Sequence, residues 1–127
     1  MEYTFGSYVR EKRLAKGINL RTMARTLEIA PAYMCDIEND HRYPPEKEKI
    51  DKLALTLSLT PDETNFLFDL AGRTKKNSVS PDLSDYIMEH NYARVALRLA
   101  RDNSLGEEEW EKVIRVLETE ILDGKKN

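Results

Sequence analysis

The chain holds 23 acidic side chains, two histidines and one cysteine, but the spacing of these candidate nucleophiles, general acids and metal ligands suits none of those tasks. Cys35 is the sole cysteine, and no lysine or arginine lies within one helical turn of it to favour the thiolate. It reads as a small packing residue rather than a redox switch. His41 and His90 lack the short spacing of a zinc pair. Asp36, Glu38 and Asp40 alternate like the start of a calcium loop, but the sixth position is His41 instead of glycine and the twelfth is Lys47 instead of glutamate. There is no glycine-rich phosphate loop, and no serine or cysteine has a recognisable histidine partner. The expectation is a protein with no metal, no cofactor and no enzymatic activity. What remains is the chemistry of recognition. Arginines, Tyr33, Asp36 and Asn39 gather between residues 19 and 43, and their donors and acceptors match phosphates and base edges.

The elements that must position these side chains are helices. Apolar residues recur at helical spacing and no stretch alternates with period two, so the fold class is all-α. With 127 residues, 40% apolar and 34% charged, the chain has room for one domain and an appendage, each helix wet on one face. Phe5 and Val9 begin a first helix that Gly17 stops. Asn19 caps a second carrying Leu20, Met23, Ala24 and Leu27. A third runs from Pro31 to about Asn39 with Met34 and Ile37 inward. Ile50, Leu53, Ala54 and Leu57 mark a fourth. Thr60-Pro61-Asp62-Glu63 is a capping box opening a fifth, which Gly72 closes. Residues 1–72 therefore form a five-helix domain. The polar run 73–80 reads as a linker, and 81–122 as a helical extension capped by Ser80-Pro81, with a break near Asn91 and a capping box at Ser104 and Glu107. No uncharged stretch approaches the length needed to cross a bilayer. One cysteine cannot make an intramolecular disulfide and no apolar run follows the N-terminus, so a cytoplasmic location is expected, with no membrane partner.

Residues 19–42, NLRTMARTLEIAPAYMCDIENDHR, carry the most specific arrangement. Ala24 is small where a following helix must cross, Leu27 fills the space beside it, and Glu28-Ile29-Ala30 make a three-residue turn plugged by Ile29. Met34 and Ile37 then hold the third helix against the first two. These are the packing needs of a helix-turn-helix.

The stretch resembles the helix-turn-helix of the phage-repressor and Cro type, the Xre family, and PAYMCDIENDHRYPPEKEKI strengthens the likeness. The resemblance covers roughly residues 4–72 and implies a lambda-repressor-like domain that binds double-stranded DNA as a transcriptional regulator. It departs from the family at Glu28 and Asp40, positions that are often glycine. The third helix exposes no lysine or arginine, so the commonest guanine contact is missing from it. By family geometry Arg21, Thr22 and Arg25 meet phosphates from the second helix, while Arg42 and Tyr43 follow the backbone from the loop after the third. Pro31, Ala32, Tyr33, Asp36 and Asn39 face the bases: Ala32 and the Tyr33 ring toward thymine methyls, Asp36 either accepting from cytosine or simply repelling phosphate, Asn39 toward adenine unless it caps the helix. Arg10 and Arg13 suit either a phosphate contact or an internal ion pair holding the first helix. Residues 1–43 hold seven basic and six acidic side chains, so composition alone announces no basic patch.

The resemblance further implies a repressor that works as a homodimer on an inverted repeat. Tyr92, Val95, Leu99, Trp110, Val113 and Leu117 of the extension are the expected dimerisation residues. The alternative is an antitoxin, or a repressor controlled by a protease, whose C-terminal segment binds a toxin or a metallopeptidase. Arg94, Arg98 and Arg101 form a stripe along one helix, expected to pair with the acids Glu107 to Glu111 across a hairpin.

Overall fold

A computed structural model describes residues 2–126 of the chain. It is all-helical among those residues, and it divides into two compact units on either side of the Tyr86–Ile87 bond. The first unit contains α1 (Phe5–Ala15), α2 (Leu20–Thr26), α3 (Pro31–Glu38), α4 (Lys47–Thr56) and α5 (Pro61–Thr74). These are the five helices expected from the apolar spacing. Helix α6 (Ser84–Glu89) crosses the division. The second unit continues with α7 (Asn91–Asp102) and α8 (Glu107–Val116), the latter passing through a π-helical stretch, Leu117–Leu122, into a last turn, Asp123–Lys126. Among the described residues, no helix is long and apolar enough to cross a membrane.

Local chemistry starts these helices where the residue types say it should. The Asn19 side chain accepts the Thr22 N–H at the head of α2, and Thr60 and Glu63 exchange both bonds of the capping box on α5. Pro31 occupies the first turn of α3, where its missing N–H costs nothing. Five helices end in one left-handed residue whose successor bonds back to the preceding turn, as in Ile29 N–H to the Ala24 carbonyl and His41 N–H to the Asp36 carbonyl. Glycine fills that position only at Gly17. Glu28, Asp40, Ser58 and Ser104 fill the others with φ between 53° and 60°.

Three expected signals serve other purposes. Helix α5 does not stop at Gly72 but continues to Thr74. Gly72 is needed because the backbone of Val79 and Ser80 returns across it, leaving no room for a Cβ. Ser80 does not cap a helix beginning at Pro81: its hydroxyl donates to Asp69 at 2.6 Å, and α6 starts at Ser84. The Ser104–Glu107 box is also absent, because Ser104 is already the left-handed residue that ends α7, and Gly106 precedes α8 instead.

The core of the first unit is formed by Phe5, Val9, Met23, Ala24, Leu27, Met34, Ile37, Ile50, Leu53 and Leu67, with Tyr33 and Ile29 partly buried at its margin. Helices α1 and α3 approach so closely at Gly6 that any side chain there would collide with the carbonyls of Ile37 and Glu38. Beside that contact the Asp40 carboxylate accepts the Gly6 N–H and the Thr4 hydroxyl, and so caps α1 from the end of α3. Arg13 and Glu38 face each other inside, with Nε to Oε2 at 2.6 Å and Nη2 to Oε1 at 2.9 Å, while Nη1 donates to the Ile18 carbonyl. Of the two roles suited to Arg10 and Arg13, Arg13 takes the internal one. Arg10 is exposed and has no side-chain partner among the described residues.

Removing one member of this buried pair strands the other in a place without water. Glu38→Ala is expected to lower stability by about 3 kcal/mol or more in urea unfolding, and the double change Arg13→Met with Glu38→Leu to recover most of that loss. A single mutant as stable as wild type would overturn the assignment. At the periphery, Glu63 is held down to about pKa 2, first by its hydrogen bond from Lys12 at 2.6 Å and next by the Thr60 N–H. A depressed carboxylate stabilises the folded state above its unfolded pKa and stops doing so as pH falls through its folded value. Stability should therefore decline between about pH 4.5 and pH 2, and thermal melts of Glu63→Gln should decline less steeply over that range.

Candidate nucleic-acid interface

Helices α2 and α3, joined by the turn Leu27–Ala30, form a helix-turn-helix. Ala24 and Leu27 are fully buried at the crossing, and Met34 and Ile37 close it from α3. With those residues and Glu38 pointing inward, the outward positions of α3 are Pro31, Ala32, Cys35 and Asn39, with Tyr33 and Asp36 half-buried at the edge. The outward face of α2 carries Arg21, Thr22 and Arg25. Arg21 and Arg25 stand one turn apart on one side of the helix. Neither side chain has a hydrogen bond or ion pair among the described residues, and the same holds for Lys16 on the end of α1.

The base-facing candidates are not equally free. Asn39 is the C-terminal cap residue of α3, and its Nδ2 donates to Cys35 Sγ at 3.3 Å, so its amide is partly engaged by its own helix. Asp36 is flanked by two cationic or polar groups from the following loop: Arg42 Nε at 3.6 Å from Oδ2, and His41 Nδ1 at 4.0 Å from Oδ1. Arg42 does not extend away from the helix. Its guanidinium lies over the Tyr33 ring at 4.6 Å from the centroid, which brings a cation onto the edge of a helix that has none of its own. Tyr43 is exposed and receives Lys75 Nζ at 5.8 Å from its ring centroid. Lys75 and His41 are therefore additions to the residues chosen from sequence. His41 follows the left-handed residue Asp40, which reverses the chain toward α3, whereas Lys75 comes from the end of α5 and no signal in the sequence pointed to it.

No family model matches this chain, and no curated protein matches it. A search of solved structures found similarity to one described as "SinR protein/SinI protein complex". The TM-score is 0.45 at 16% sequence identity, covering 91% of this chain and 95% of that one.

In the second unit the expected dimerisation residues lie on the surface. Tyr92 is 85% exposed and Leu99 64%, Val95, Val113 and Leu117 are also exposed, and Trp110 is half-buried. Among the described residues of this unit only Ala100 is buried. The arginine stripe does not pair with Glu107 to Glu111. Arg94 donates to the Ile87 and Met88 carbonyls at the end of α6, and Arg101 pairs with its neighbour Asp102. The C-terminal carbonyls of α6 attract the arginine, and the first-turn acids of α8 gain from the positive end of their own helix.

Cys35 reports on the outward face of α3 directly. The native protein should react with a bulky maleimide without denaturant, at a rate close to that of the unfolded chain. Protection of the thiol until the chain unfolds would mean that this face is covered.

Proposed function

We propose that this protein is a sequence-specific DNA-binding transcriptional regulator, a repressor that binds an inverted-repeat operator as a homodimer and occludes a promoter. The observation that carries the reading is the helix-turn-helix in which α3 turns Ala32, Cys35 and Asn39 outward while Arg21 and Arg25 stand unpaired on α2 beside it. A helix so mounted enters the major groove, and two unpaired arginines on the helix before it meet the phosphates that flank the groove. Nothing in the arrangement supplies a nucleophile with its base, so binding rather than catalysis is the activity proposed.

Homodimerisation through Tyr92, Val95, Leu99, Trp110, Val113 and Leu117 is supported by the same logic in reverse. A segment of about forty residues with one buried side chain cannot hold itself together, so its apolar face requires a partner. A second copy supplies it and at the same time spaces two recognition helices by about one turn of DNA, roughly 34 Å. A toxin or a metallopeptidase seated on the same face is the second reading, favoured by the same exposed side chains.

In-vitro selection from random duplex DNA at moderate salt should recover an inverted repeat with half-sites about one turn apart, and sedimentation equilibrium should give a dimer. Arg21→Ala should weaken binding to every duplex alike and reduce the slope of log affinity against log salt by about one. Recovery of no sequence above background would refute the regulator reading. A monomer at tens of micromolar would transfer the apolar face to a different protein.

A further inference from the structure

The outward face of α3 poses a chemical problem for any protein that reads DNA. Arginine or lysine to guanine is the commonest specific base contact, and α3 offers neither residue between Pro31 and Glu38. Resting on the DNA-binding proposal above, we infer that Arg42, folded back onto α3, is the guanine-reading residue, and that Tyr33 and Asp36 are its positioning residues.

The geometry separates the two ends of the Arg42 side chain. The inner nitrogen, Nε, faces Asp36 Oδ2 at 3.6 Å, and the flat of the guanidinium rests on the Tyr33 ring at 4.6 Å. The two terminal nitrogens make no hydrogen bond among the described residues, and the side chain is 55% exposed. A guanine presents O6 and N7 side by side in the major groove, and a planar fork of N–H donors matches that pair. A stacked, steadied guanidinium loses less rotamer freedom on binding than a free one. The same contact answers a second difficulty: an isolated Asp36 on this surface would repel the DNA backbone, and Arg42 offsets its charge. Tyr33 and Asp36 stand three residues apart on α3, and the left-handed residue Asp40 turns the chain so that Arg42 falls across them. A phosphate-contacting role in the loop would leave Tyr33 and Asp36 unrelated to Arg42.

The test is selection from random duplex DNA with wild type, R42A, R42K and D36N, followed by titration of the selected duplexes over a range of salt. R42A should keep the half-site spacing but lose its preference at one guanine per half-site, by on the order of 10- to 100-fold, with the salt slope nearly unchanged. R42K keeps the charge without the fork and should lose most of the same preference. D36N should lose part of it at the same position. Uniform weakening of R42A on all duplexes, with a salt slope lower by about one, would make Arg42 a phosphate contact and overturn the inference. Unaltered preference in D36N would remove Asp36 from it. If wild type itself selects no sequence, the DNA-binding proposal fails in that arm alone, before any variant is compared.

Discussion

Two opposite charges taken out of water stay there only if they face each other with their hydrogen bonds complete, and Arg13 and Glu38 meet that condition. The guanidinium gives two nitrogens to the carboxylate and a third to the Ile18 carbonyl. The hydrogen bond it donates to Glu38 raises the Arg13 pKa against the opposing effect of burial. Because Glu38 belongs to α3, the pair fixes the rotation of that helix about its own axis. With Met34, Ile37 and Glu38 turned in, Ala32, Cys35 and Asn39 have to be out. Turning α3 by one residue would expose a methionine or an isoleucine and strand Arg13. The contact at Gly6 and the Asp40 cap act at the same seam, so α1 holds the far end of α3 in place along its length as well as around it.

That seam also explains which parts of the fold were legible in the sequence. Asn19, Pro31 and the Thr60–Glu63 box act on the backbone of their own helix, and residue type alone suffices to see them. Gly72, Ser80 and Ser104 misled because one residue type serves several ends. Glycine stops a helix, but it also admits another strand of backbone; serine caps a helix start, but its small size also suits a left-handed helix end. Only the path of the neighbouring chain decides. Glu28 is the reverse case. A glycine would take its φ of 59° at less cost. The turn forms all the same, because Leu27 and Ile29 on either side are held by the core.

The same distinction runs through the outward face of α3 and the second unit. The outward residues of α3 follow from periodicity, so Ala32 and Asn39 were foreseeable. That Arg42 returns to Tyr33 depends on a reversal at Asp40, which residue type permits but does not demand. In α7 and α8, periodicity marks the apolar side and says nothing of its cover. The arginine stripe pointed toward a hairpin locked by ion pairs, yet Arg94 is drawn to the carbonyls ending α6. A helix terminus one turn away outcompetes a carboxylate that already has a favourable place on its own helix.

Charge is where composition misleads most, because it counts side chains that folding has already spent. Of the six acids among residues 1–43, Glu38 is inside with Arg13 and Asp40 is bound to the head of α1. Asp36 lies beside Arg42 and His41, Glu11 accepts the Tyr3 hydroxyl, and Glu28 lies 4.0 Å from Lys52. Only Glu2 lacks a partner among the described residues, whereas Arg10, Lys16, Arg21 and Arg25 all do. A phosphate approaching α2 responds to charges within a Debye length of about 8 Å at physiological salt. It therefore meets Arg21 and Arg25 rather than the chain's net charge of −3. A protein with more acids than bases is in this way able to present a local cationic surface, provided most of its acids are engaged by partners, one of them buried and the rest at the surface.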